Sequence, residues 1–299
     1  RLAFQGSDGL WRTYAFSTDT TLTQAALDTG VFELGKDYYV YLTQNGDLVL
    51  SLNATAPQGY DSAEVYKIGG FHYGRVRTIE QRFDASATLA VQVVPNSVWD
   101  LRHRPRCSDP SGMVKVGDFW VDIYLSSEDG TPWPNTVPLS RYNATPFSGT
   151  EGYAYIDYLQ LARNAGKRLP TYAEFLQYAY GVPEGVVGVS STVATGSVAW
   201  LVSCLNVDQP SGNLWQVGAD FMAVGEDGSW EWYEWTKSGK DSAQETGSIV
   251  QQTADMLRQL IFGGGWANGA GAGARCVYLD SRPWDVGSYV GMRCVCDSI

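Results

Sequence analysis

The chain has 299 residues, 44% hydrophobic and 18% charged, enough for a large core and for one big domain with a smaller one. Its formal net charge of −11 argues against a nucleic-acid binder, which needs a basic face to release counterions, and against an anionic membrane surface. No apolar run approaches the ~20 residues of a spanning helix, so no membrane insertion is expected.

Arg1 opens the chain with neither Met nor a leader pattern, as expected of a piece cut from a longer protein. Residues 1–60 read as β-rich. "TLTQAALDTG" fits a short helix closed by Gly30, and "DYYVYLTQNGDLVLSL" alternates around Asn45-Gly46, a strong hairpin signal. Residues 61–111, with turn chemistry at Pro57 and Gly59 just ahead and paired Gly69 and Gly70 within, read as a junction. The first 60 residues are too short for an enzyme and are expected to mount or oligomerise the rest of the chain.

From Gly112 the text changes. "MVKVGDFWVDIYLSS" predicts one strand entering a core. "YAYIDYLQLARNAG" predicts a helix with Tyr155, Leu159 and Ala162 on one stripe, ended by Gly166. Thr171 and Glu174 in "RLPTYAEFLQYAYG" form a capping box for a second short helix running to Gly181. A polar, Gly/Ser-bearing stretch then reaches about Asp227, followed by an aromatic strand, "GSWEWYEW", and a polar insertion over 236–255. "LIFGGGW", "ARCVYL" and "SYVGMRCVC" predict three short strands with glycine-rich turns.

Cys107, Cys204, Cys276, Cys294 and Cys296 lack zinc-site spacing and read mainly as small buried side chains. On a strand Cys294 and Cys296 share a face, and a disulfide from Cys276 to either is open. The only histidines, His72 and His103, precede the tail, and no nucleophile–base constellation is legible there, so no catalytic residue is assigned. "GGGWANGAGAGARC" lacks Gly-Lys-Ser/Thr and runs into an apolar strand, which excludes a phosphate loop, and Trp266 speaks against a free linker. Its glycines read as tight turns and close backbone approaches.

"AGKRLPTYAEFLQYAYG", "DGSWEWYEW", "GGGWANG" and "VGMRC" follow the order of segments in the formylglycine-generating-enzyme-like branch of the C-type lectin fold. Within that branch the tail resembles the variable proteins of diversity-generating retroelements, which bind ligands through residues rewritten at template adenines. The resemblance covers about residues 112–299. It implies an α+β fold: a C-type lectin-like ligand-binding domain over 112–299, with a variable region at about 263–296, preceded by the β-rich unit (1–60) and junction (61–111).

The resemblance places the variable, ligand-binding positions at Ala267, Asn268, Gly271, Tyr278, Asp280, Ser281, Asp285, Gly287 and Tyr289, each reachable from an asparagine codon. Arg282 and Trp284 flank them as further contacts. Trp230, Glu231, Trp232, Trp266 and Arg293 are expected to be scaffold, with Leu279, Pro283, Val290 and Gly291 between the variable positions. Glu231 or Glu174 is the expected ion partner of Arg293, because an isolated buried charge is costly.

The resemblance also frames the rivals. Formylglycine-generating oxidases need a C-x-x-x-x-C pair that binds copper. Cys276 lies far from Cys294, and Cys294 and Cys296 are too close together for that pattern. Calcium-dependent lectins carry Glu-Pro-Asn or Gln-Pro-Asp with Trp-Asn-Asp; this sequence has neither, and "PWD" at 283–285 offers one carboxylate. The expectation is therefore a non-enzymatic binder with no cofactor and no metal, facing a protein or glycan receptor. It belongs on a viral tail or fibre tip, or alternatively on a prokaryotic cell surface as an adhesin, and a homo-oligomer is a further expectation.

Overall fold

The computed structural model describes residues 2–16, 19–187, 191–224, 230–234, 248–252 and 256–299, with side chains up to 222 and again from 257. A small hairpin, β1 (Leu2–Gln5) with β2 (Trp11–Tyr14), precedes a five-stranded antiparallel sheet. That sheet runs in the order β4 (Leu48–Ser51), β3 (Lys36–Thr43), β5 (Val65–Val76), β6 (Ala90–Val93), with β7 (Trp99–Asp100) also paired to β5. The β3–β4 turn forms at Asn45-Gly46 as expected, closed by Thr43 N to Asp47 O at 2.9 Å with Gly46 at φ 93°. Gln24–Ala26 is one 3₁₀ turn rather than a longer helix. The segment expected to be a junction supplies the sheet's central strand, so the expected division at residue 60 falls inside the sheet.

The single strand expected after Gly112 is a hairpin, β8 (Met113–Val116) and β9 (Phe119–Asp122), with Val116 opposite Phe119. Gly117 at φ 54° turns the chain there, a conformation that strains side-chain-bearing residues. After the short pair β10 (Ser126–Ser127) and β11 (Leu139–Ser140) come the only α-helices among the described residues, α1 (Tyr155–Asn164) and α2 (Tyr172–Tyr178). Both end at left-handed glycines, Gly166 and Gly181, and Thr171 with Glu174 caps α2 reciprocally. The fold is thus mostly β, and its helical share is small.

Inside the stretch expected to be polar and irregular lies β12 (Trp215–Val224), a central strand of the sheet β16 (Val277–Ser281), β15 (Met256–Phe262), β12, β17 (Val290–Gly291). The aromatic strand is β13 (Trp230–Glu234), paired with β14 (Ser248–Gln252) within the expected insertion. The last predicted strand splits: β17 joins β12, whereas β18 (Val295–Asp297) pairs with β9. Cys294 and Cys296 consequently enter different core clusters.

Between the sheets sits Arg293, fully buried. Its Nε donates to Gln216 Oε1 at 2.9 Å, Nη1 to the Asp122 and Ile123 carbonyls at 2.7 and 2.6 Å, and Nη2 to the Asp208 and Gln209 carbonyls at 2.6 and 3.2 Å. All of its N–H donors are used by these oxygens, and among the described residues it forms no ion pair; the expected partner Glu174 is engaged elsewhere. Glu174 instead takes Arg168 at 2.6 Å, and the side chains of Trp230, Glu231 and Trp232 lie outside the described residues. Oxygens of backbone and amide replace the carboxylate: the four Nη donors meet fixed backbone carbonyls and Nε meets the Gln216 side chain.

These buried charges can be tested in two ways. Lys offers fewer donors in no fixed fork, so Arg293→Lys strands several carbonyls and should cost at least ~3 kcal/mol by chemical denaturation. Burial raises the Asp208 carboxyl to about 7, against a donor from Gly196 N and attraction to Arg293 that favour ionisation. A carboxyl raised on folding retains its proton where the unfolded chain has lost it, so its contribution to stability falls as pH rises from ~4 to ~7. Asp208→Asn should flatten that slope and raise Tm relative to the parent at pH ~8. An unchanged slope refutes the assignment.

Candidate ligand-binding site

The glycine run after β15 builds the site. Gly263 and Gly264 sit at φ 94° and 79°, and an added Cβ would lie 2.7 Å from Pro210 O at the first and 2.7 Å from Ala272 Cβ at the second. This sharp, close-packed turn lifts Gly265–Asn268 over the end of β12. Asn268 Oδ1 accepts from Gly265 N at 2.8 Å and locks the loop.

A hollow of about 300 Å³ opens beside this loop. Buried Trp215 and Ile261 form its floor, Gly265 and Trp266 one wall, and Ala267, Asn268, Tyr278 and Tyr289 its rim. Tyr278 is 43% and Tyr289 47% exposed, and Tyr278 leans on Trp215 with ring centroids 5.8 Å apart. Half-buried Trp266 brings an indole Nε1–H that has no hydrogen-bond partner among the described residues.

Across Tyr289, a narrow notch gathers Ser281, Asp285 and Gly287 against Tyr155, Gln259 and Ile261. A Cβ on Gly287 would meet the Tyr289 ring at 2.8 Å, so a larger residue there must move that ring. Asp285 Oδ2 accepts from Arg282 N at 2.9 Å, a local turn bond, and Trp284 is half-buried beside buried Pro283. Exposed Asp280 pairs with Arg258 at 2.8 Å.

Most of the expected variable positions therefore share one face. Gly271 does not: it borders a separate cavity of about 430 Å³ with Phe83, Val182 and Glu184. Among the expected scaffold residues Gly291 and Arg293 are buried and Val290 is half-buried, but Leu279 is 44% exposed. The reason is position: β16 is the edge strand, and its centre, Tyr278 to Asp280, is open to solvent on both faces. Sequence reasoning missed Trp215 and Ile261 as the floor and Arg258 as the partner of Asp280. The alternation in "NLWQVGADF" was the available signal for β12.

An apolar, aromatic floor under hydroxyl-bearing and charged rim groups can bury part of a partner and orient it by hydrogen bonds. Among the described residues no group of three His, Cys, Asp or Glu side chains converges as a metal site. The class this defines is a display: a binding face carried on a C-type lectin-like scaffold.

Comparison with known proteins agrees. A family model described as "Mtd second domain" matches residues 9–100, which include the whole five-stranded sheet. A tail fiber receptor-binding protein of Bordetella phage BPP-1 is 33% identical over 307 residues, covering 95% of this chain and 75% of that protein. Solved structures of the M1 and P3c variants of major tropism determinant match 99% of the chain, each with TM-score 0.78 and 28% identity, covering 80% and 81% of those chains. The chain belongs to the major tropism determinant family of phage tail fibre receptor-binding proteins.

Exposure separates the rim from the floor energetically. Tyr278→Ala and Tyr289→Ala should each change stability by about 0.5–1 kcal/mol, whereas Trp215→Ala should cost about 3–5 kcal/mol by opening the floor. Urea denaturation of the three variants checks this ranking; equal losses would place the tyrosines in the core.

Proposed function

We propose that this chain attaches a phage to its host from the tail fibre, gripping a cell-surface receptor with the face crowned by Tyr278 and Tyr289. Retroelement-directed diversification of Ala267, Asn268, Tyr278, Asp280, Ser281, Asp285, Gly287 and Tyr289 retunes that grip, with Arg282 and Trp284 at its margin. The observation that carries this reading is the contrast along one stretch of chain: these positions are exposed or half-exposed, while Pro283, Gly291 and Arg293 between and after them are buried. Rewriting the former leaves the buried supports in place, at the cost of local turn bonds at Asn268 and Asp285. Gly271 faces another cavity and plays no part in this grip.

The scaffold is read as the formylglycine-generating-enzyme-like branch of the lectin fold, used without catalysis. Residues 112–299 carry the binding face, and the preceding sheet mounts it on the fibre. Several copies on a fibre would multiply a modest single-site affinity. Two tyrosine rings and the Asp280–Arg258 pair suit either a protein or a glycan receptor.

The test is binding of the full chain to host cells. Replacing Tyr278 and Tyr289 together by Ala should weaken binding at least ~100-fold, the loss of about 3 kcal/mol, with Tm nearly unchanged. Binding within about twofold of the parent overturns the assignment of the face. Treating the cells with protease or glycosidase tells a protein receptor from a glycan.

A further inference from the structure

We propose that Cys107 and Cys296 are a redox pair that closes into a disulfide, stapling the segment after the N-terminal sheet to the C-terminal strand. The chain's last residues form a short antiparallel ladder with residues 104–107. Pro105 stands opposite Ser298, Arg106 N donates to Asp297 O at 2.9 Å, and Ile299 N donates to Arg104 O at 3.1 Å. Continuing this register by two residues sets Cys107 directly opposite Cys296, at a position without ladder hydrogen bonds. Such positions bring Cα atoms to about 4.5 Å, inside the range of about 4.4–6.8 Å that a disulfide spans.

The side chains follow the backbone. Cys107 N donates to Cys296 Sγ at 3.2 Å, and both residues are buried in one core cluster, with Met113 Sδ 3.8 Å from Cys107 Sγ. No other cysteine shares that cluster: Cys276 and Cys294 pack in another, and Cys204 lies beside Thr78.

The two sulfurs differ in acidity. The Cys107 thiol, the backbone N–H groups of Cys107 and Arg106, and the Lys167 ammonium all favour the Cys296 thiolate and hold it below the usual thiol range despite burial. Hydrogen bonding to Cys296, then burial, pushes Cys107 up. Cys296 is thus the nucleophile and Cys107 the resolving thiol.

The oxidant must be small. Both cysteines are buried, and the nearest opening is a cavity of about 450 Å³ lined by Ser108 and Asp109, which follow Cys107 in the chain, and by Lys167, so the proposed oxidant is a hydroperoxide. The Cys296 thiolate attacks one peroxide oxygen, the O–O bond breaks, and hydroxide leaves to take a proton, giving a sulfenic acid. Cys107, losing its proton, then attacks that sulfur; the S–O bond breaks and water departs. Two thiols and one hydrogen peroxide give one disulfide and two waters. The closed loop encompasses nearly the whole binding domain, so the unfolded chain is strongly restricted.

The full-length protein, purified reduced, is treated with equimolar hydrogen peroxide, denatured, alkylated and mapped by mass spectrometry without reductant. The expected product is about 2 Da lighter and yields a peptide linking Cys107 to Cys296, with Tm raised by about 5–10 °C and restored by a phosphine reductant. In Cys107→Ser the Cys296 sulfenic acid should be trapped by dimedone and no Tm gain should appear. Alkylation of both thiols after peroxide, or linkage of either to another cysteine, overturns the proposal. The parent mapping decides this even where the variant folds poorly.

Discussion

A single guanidinium, with no carboxylate partner among the described residues, ties this molecule's sheets together. Arg293 lies just after β17 and just before β18, so one side chain is shared by the end of one sheet and the start of another. The carbonyls it binds come from the end of β9 and from the 208–209 turn, while Gln216 on β12 also takes the Tyr178 hydroxyl at 3.0 Å. Gln209 offers its carbonyl from a left-handed backbone at φ 45°, a conformation that costs about 1–3 kcal/mol and persists only where surroundings fix it. Arg77 follows the same logic at the other end of the chain, donating to the carbonyls of Val202 and Trp200, each at 2.6 Å. Both arginines gather loop backbone that would otherwise be buried without partners.

This arrangement explains how a face can change while its support does not. The supports are backbone atoms and buried rings, which no substitution on the rim removes. The rim itself is not uniformly free. Asn268 closes the Gly265 turn and Asp285 closes the Arg282 turn, so replacements there lose a local hydrogen bond as well as a contact group. Asp280 differs: its own carboxylate is largely open to water, but its ion partner Arg258 is mostly covered, so replacing Asp280 takes a partner from that guanidinium. Tyr278 and Tyr289 have the greatest latitude, because solvent already reaches nearly half of each residue.

The features legible in the sequence are those that depend on neighbours in the chain. The Thr171–Glu174 capping box, the glycine helix stops and the Asn45-Gly46 hairpin are short-range devices, and each forms where its residues stand. Long-range geometry stays hidden. β12 keeps its alternation, but Gly218 and Asp220 are weak strand formers within it, and its register against β15 shifts between Val217 and Phe221. Alternation points Leu279 inward, but it carries that meaning only where a second layer covers the face. The partners of Arg293 are carbonyls, which leave no side-chain signature, so carboxylates are the visible candidates. The family segments bring most of the expected positions to one face, while Gly271 lines a different cavity.

The N-terminal sheet is fastened to the domain that follows it by a small set of directional contacts. His72 on the central strand β5 lies between Asp37 Oδ1 at 3.0 Å and the Tyr124 hydroxyl at 2.9 Å, and Asp37 also accepts from Gly112 N at 2.9 Å. Arg75 reaches the Gly196 carbonyl at 2.6 Å. These polar, largely buried contacts add direction to the apolar packing of Val76, Val94, Tyr39 and Trp99 against residues 112–124, so the sheet meets the following domain in one orientation. On the function proposed above, such a junction would pass load from the fibre to the tyrosine face through fixed contacts.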